Sequence, residues 1–310
     1  MQDHNNRSHI CSIFTFVCLS ILFGTGFTFL QIAPVVTKNI GPFSPQLILL
    51  IMYSPTIAAL LTCKIFKEKW FSSSEIFGNL TKWHVLALLL PLLFISLSPI
   101  IALNLFQSEI SFDPTFAGTI RINEDIPIVL KDILITRASE NPIGCLLEAI
   151  HQALNTGFGI SMIAALGEEI GWRGFLLKKV ERYGFWKSVF IIGPIWGLWH
   201  TPMILLLGLN FPSHPILGIP MMILACTALT PLMIYIRQRS NSIWTAAIFH
   251  GSMNGLATLS FAPIHGEISS IKAGPFGISG ILAVLIVSVL FFLIAKRSPK
   301  IEPVLNGGTT

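Results

Sequence analysis

The chain has 310 residues, 53% hydrophobic and only 11% charged, with a formal net charge of +5 and a mean hydropathy of +0.73. Soluble domains carry roughly 25% charged residues, so this composition excludes a water-soluble globule. It also excludes a disordered chain, a long coiled coil and a nucleic-acid-binding module built on a charged face.

What remains is a polytopic, all-α transmembrane helix bundle. A spanning helix needs about 20 apolar residues, and stretches of that kind are expected at 10–33, 45–66, 84–106, 143–167, 188–209, 216–236, 243–261 and 276–295, about eight spans in all. The first stretch is too long, and too weakly basic at its start, for a cleaved signal peptide. The segment 107–142 mixes polar and apolar residues and reads as an extracytoplasmic loop with a short interfacial helix. The tail 298–310 reads as disordered. The chain divides accordingly into three regions: 1–142 with three spans and the loop, 143–262 as a polar-bearing core, and 263–310 as the last span and tail.

Lys and Arg are retained on the cytoplasmic side of a membrane. With the N-terminus inside, inner segments hold Arg7, Lys64, Lys67, Lys69, Lys82, Lys178, Lys179, Arg182, Lys187, Arg237, Arg239, Lys296, Arg297 and Lys300, and outer ones only Lys38, Arg121, Lys131, Arg137 and Lys272. Both termini are therefore expected in the cytoplasm, and the protein is expected to be a multi-pass protein of the plasma membrane. The five cysteines show no C-x-x-C spacing and read as small buried hydrophobes. The sequons at Asn6 and Asn79 fall on the inner side and read as chance.

Charged and polar groups inside hydrocarbon are expensive, so those found there point to a cavity with a task. Three clusters stand out. In Gly167-Glu168-Glu169-Ile170-Gly171-Trp172-Arg173, expected at the inner end of the fourth span, Glu169 and Arg173 are four apart and pair on one helix face. Glu168 is turned about 100° away, free to face a cavity. In Trp196-Gly197-Leu198-Trp199-His200, His200 lies roughly 20 Å along its helix from Lys187. In His250-Gly251-Ser252-Met253-Asn254, His250 and Asn254 share a face, with Gly251 and Gly255 as a small-residue packing stripe.

Each cluster alone has a plainer explanation: a charged helix end, a hydrogen-bonded core histidine, a polar packing pair. Together, on separate spans, they are most cheaply housed around one wet cavity. Glu, His, His and Asn are the parts of a hydrolase, in which a carboxylate and an imidazole take a proton from water and donors hold the oxyanion. Glu168, His200 and His250 would equally suit zinc with an open position for water, and the sequence does not separate a zinc from a metal-independent mechanism. Glu148 and His151 offer a Glu-x-x-His pattern without the second motif a di-metal bundle needs. His84 and His214 read as interfacial, and His265 as part of an outer loop.

The order Glu-Glu-x-x-x-Arg, aromatic-x-x-x-His, His-x-x-x-Asn resembles the CPBP intramembrane proteases, the CAAX-processing and bacteriocin-processing (Abi) family that includes the type II CAAX prenyl endopeptidases. The chain supplies Glu168, Glu169 and Arg173; His200; and His250 with Asn254. It departs at Trp196, where the family pattern has Phe, which predicts altered packing with the chemistry kept. The resemblance implies that Glu168 and His200 activate water, that His250 and Asn254 stabilise the oxyanion, and that Glu169, Arg173 and Trp196 support them. It implies a peptidase, of metallo- or glutamate type, acting on a membrane-associated peptide or lipidated, CAAX-type protein. The alternative is a non-catalytic binding or immunity protein, or a transporter, using the same cavity.

Overall fold

The computed structural model describes residues 2–36, 45–106, 111–112, 159–260, 264–265 and 269–295, with single positions 141, 144, 147 and 151. Helix α1 is Gln2–Val36, α2 Pro45–Phe66, the one-turn α3 Ser73–Ile76 and α4 Lys82–Leu105. Helix α5, Ile160–Glu169, passes through a wide π turn, Ile170–Leu176, into α6, Leu177–Val180. Helices α7 (Phe185–Trp199), α8 (Thr201–Leu207), α9 (Pro215–Ser240), α10 (Ile243–Leu256) and α11 (Ile278–Ile294) complete the bundle. The described residues outside the helices include one antiparallel pair of two-residue strands, β1 (Ser111–Phe112) and β2 (Ile264–His265).

The protein is thus a helical integral membrane protein. Among the described residues, five helical segments are long and apolar enough to cross a bilayer: Arg7–Ile32, Gln46–Phe66, Lys82–Leu105, Phe185–Leu207 and Pro215–Ser240. Glu124 and the rest of segment 113–140, the Glu148 of the Glu-x-x-His pattern and the tail lie outside the described residues.

Two expected boundaries are corrected. The helix carrying Glu168 does not end at 167 but continues without a break to Val180. Glu168, Glu169 and Arg173 therefore sit within a continuous helical segment and not at its end. The fifth expected span bends at His200, because Pro202 has no N–H to continue the ladder. The His200 amide bonds back to Gly197 O at 3.2 Å instead.

Lipid tails are as apolar as Leu, so helices in a membrane associate through close backbone approach at small residues. Each motif-bearing helix does this. A Cβ on Gly171 would run into Pro55 of α2, one on Gly197 would stand 2.5 Å from the Ile223 backbone of α9, and one on Gly251 2.6 Å from the Met162 backbone of α5. Asn241, at φ 52°, makes the tight corner between α9 and α10, a left-handed position that Asn tolerates. Glu68, just beyond α2, accepts from Ser12 of α1 and pairs with Lys179 of α6. His84, expected at an interface, is buried at the start of α4, where it accepts from the Thr81 amide and bonds Thr245 Oγ1 at 3.1 Å.

Candidate active site

The first motif is built on the π turn. A wide turn inserts an extra residue and re-aims the side chains beyond it, a device that recurs at functional sites. Here Thr56 of α2 donates to the carbonyl of Gly167 at 2.5 Å, and Tyr53 Oη donates to Ile163 O at 2.9 Å, so α2 grips the helix in the turns leading up to the glutamates. Glu168, Glu169 and Arg173 are all buried.

The expected Glu169–Arg173 pair is present, Nη1 to Oε1 at 3.1 Å, with both side chains fully shielded. A buried guanidinium needs partners for its remaining donors, and Nε finds none among the described residues. Nη2 donates to Thr230 Oγ1 of α9 at 3.2 Å, and the planar group lies over the Trp196 ring, 4.1 Å from its centroid. Glu169 does more than pair with Arg173, because the same Oε1 is 2.9 Å from His250 Nδ1. The carboxylate thereby joins the first and third motifs across two helices.

Glu168 points elsewhere, as its 100° offset requires. Its Oε2 accepts from the indole Nε1 of Trp196 at 2.8 Å. Its second oxygen accepts no hydrogen bond from a described residue.

His200 closes α7. Its Nδ1 is 2.9 Å from the carbonyl of Trp196, one turn earlier. A carbonyl only accepts, so Nδ1 carries the proton, and the neutral ring presents its lone pair at Nε2; the tautomer is assigned from the partner. By the same reasoning His250 Nδ1–H donates to the Glu169 carboxylate and leaves Nε2 as the ring atom turned away from it. The Trp196 ring stands between the two imidazoles, with centroids 5.9 Å from His200 and 5.3 Å from His250. Asn254, one turn beyond His250, is half-buried and makes no side-chain hydrogen bond to a described residue.

The structure therefore brings Glu168, Glu169, Arg173, Trp196, His200 and His250 into one connected cluster, with Asn254 at the next turn. Sequence reasoning missed three links: Glu169 to His250, the indole to Glu168, and Thr230 under Arg173. Thr230 offers no spacing signal in an apolar helix. Tyr53 and Thr56, likewise single polar side chains in an apolar span, offer none either.

The geometry also bears on a zinc set of Glu168, His200 and His250. Among the described residues no group of three His, Cys, Asp or Glu side chains converges so as to hold a metal ion.

Comparison with known proteins gives two matches. Residues 151–256 match the family described as type II CAAX prenyl endopeptidase Rce1-like. A stretch of 44 residues is 41% identical to the CAAX prenyl protease 2 of Methanococcus maripaludis, covering 14% of this chain and 16% of that protein. The chain thus matches only about a sixth of that relative's length. The likeness to the type II CAAX prenyl endopeptidases that the three motifs imply is shown, over the one stretch of the chain that carries all of them.

Proposed function

We propose that the protein is an intramembrane endopeptidase that hydrolyses a peptide bond near the C-terminus of a membrane-associated, prenylated CAAX-type substrate. The observation that carries this reading is the convergence of the three motif-bearing helices on Trp196, which places Glu168, His200 and His250 around one ring.

Glu168 and the Nε2 lone pair of His200 take a proton from water as it attacks the scissile carbonyl. His250, as an imidazolium with Nδ1–H on the Glu169 carboxylate and Nε2–H turned to the substrate, and the side-chain amide of Asn254 donate to the oxygen that gains negative charge. As the tetrahedral intermediate collapses, the proton held by the Glu168–His200 pair passes to the leaving amine. Arg173 and Glu169 fix the frame and touch no reacting atom. The prenyl chain is a lipid-soluble handle, suited to a site reached from the bilayer, with the polar peptide entering from the cytoplasmic face of a plasma membrane.

Liposomes containing the protein are offered a farnesylated peptide ending in Cys-a-a-X, and the released tripeptide is quantified by mass spectrometry. Release that falls about 100-fold or more in His250→Ala and Asn254→Ala supports the reading. No release by the parent, or release at the parent's rate by both variants, overturns it.

A further inference from the structure

Trp196 occupies a peculiar place. It lies on α7, which packs along α9, whereas Glu168 and Glu169 lie on α5, which packs on α2 and α10. The side chain is 1% exposed and is engaged at several points. The indole N–H goes to Glu168 Oε2 at 2.8 Å, one ring face is covered by the Arg173 guanidinium at 4.1 Å, and the backbone carbonyl takes His200 Nδ1 at 2.9 Å. The ring is inclined 57° to His200 and 71° to His250.

We propose that Trp196 is a positioning residue for catalysis: its indole N–H holds the Glu168 carboxylate in the orientation that faces the water, and the stacked Arg173 holds the indole. This rests on the function proposed above and deepens it. The family pattern has Phe at this position, and Phe has no donor, so the contact belongs to this chain's own solution.

The physical case is one of satisfaction and geometry. A carboxylate buried to this degree needs donors. Trp196 is the donor given by the described residues, and it engages one oxygen while leaving the other for water. The N–H is fixed in direction by a rigid ring with two torsions, and that ring is clamped by a cation on its face and by imidazoles beside it. Trp196→Phe keeps an aromatic under Arg173 and keeps the backbone carbonyl for His200, and removes only the N–H and the outer ring.

The test has two arms. In the first, Trp196→Phe is assayed with the prenylated peptide. A hydrogen bond to a charged group is worth a rate change of about 10- to 100-fold, so kcat is expected to fall by that factor while KM stays within about twofold. In the second, the seven indole N–H signals are followed by 15N–1H NMR in detergent micelles. One low-field signal is expected to move upfield in Glu168→Gln and to be missing in Trp196→Phe. Parent kcat in a folded Trp196→Phe, or seven indole signals unmoved by Glu168→Gln, overturns the proposal. The second arm needs no turnover: if the parent cleaves nothing but the indole signal moves, the assigned function fails and the hydrogen bond stands.

Discussion

Glu169 Oε1 lies 2.9 Å from His250 Nδ1 and 3.1 Å from Arg173 Nη1, so one buried oxygen both pairs with a cation and orients the ring of a histidine on another helix. Glu169→Gln keeps the shape and removes the charge. Activity is expected to fall at least about tenfold, as for other groups that orient a reacting side chain, with little change in KM. Glu169→Ala leaves Arg173 as an uncompensated buried cation and is expected to cost about 3 to 5 kcal/mol of stability. Cleavage rates and thermal unfolding in detergent read the two effects separately.

Trp199 donates from Nε1 to Ser20 O of α1 and to Ser54 Oγ of α2, both at 3.2 Å, and its ring lies 4.8 Å from that of His200. A Cβ on Gly24 would meet that Nε1 at 2.6 Å, whereas one on Gly26 meets nothing within 4 Å. Gly24→Ala is therefore expected to destabilise by about 1 to 3 kcal/mol. Gly26→Ala, two residues away in the same helix, is expected to be neutral or stabilising by up to about 1 kcal/mol. Thermal midpoints of the two variants compare them directly; equal midpoints would remove α1 from the support of His200.

Outside the membrane, Glu75 caps α3 and pairs with Lys178 at 2.9 Å. Burial raises its pKa, but the Ser72 amide and the Lys178 ammonium outweigh this and hold it below the usual carboxylate range. A depressed folded value means that the contribution to stability is present above the ordinary glutamate pKa, about 4.3, and is lost as pH falls through the lowered one. Unfolding midpoints of the parent and Glu75→Gln should differ slightly at pH 7 and converge in acid. A gap that widens in acid would contradict the sign.

Much of the frame was legible because hydrocarbon imposes a simple rule on composition. The stretch 45–66 coincides with Pro45–Phe66, and 216–236 lies within Pro215–Ser240. The helix bearing Glu168 defeats the same rule: two glutamates and an arginine look like the end of a span. Here they lie inside a continuous helix, compensated by partners from α7, α9 and α10 that no local pattern announces. The motif residues were legible as polar groups out of place. Which nitrogen of His250 meets which carboxylate depends on how α5 and α10 are rotated against each other at Gly251 and Met162, and residue types do not encode that. Replacement of the family Phe by Trp196 predicts only a change of packing from the sequence, whereas the structure gives the indole N–H a partner in Glu168.

The central claim is that side chains from separate helices form one hydrolytic unit. The most direct measurement compares single-turnover cleavage of a prenylated peptide by Glu168→Gln, by His200→Ala and by the double variant. Residues that act as a unit are strongly non-additive, so each single change should slow cleavage by about 1,000-fold or more and the double variant should be little slower than either. A folded single variant that cleaves at the parent rate, or a double variant slowed by the full product of the two factors, would contradict the account.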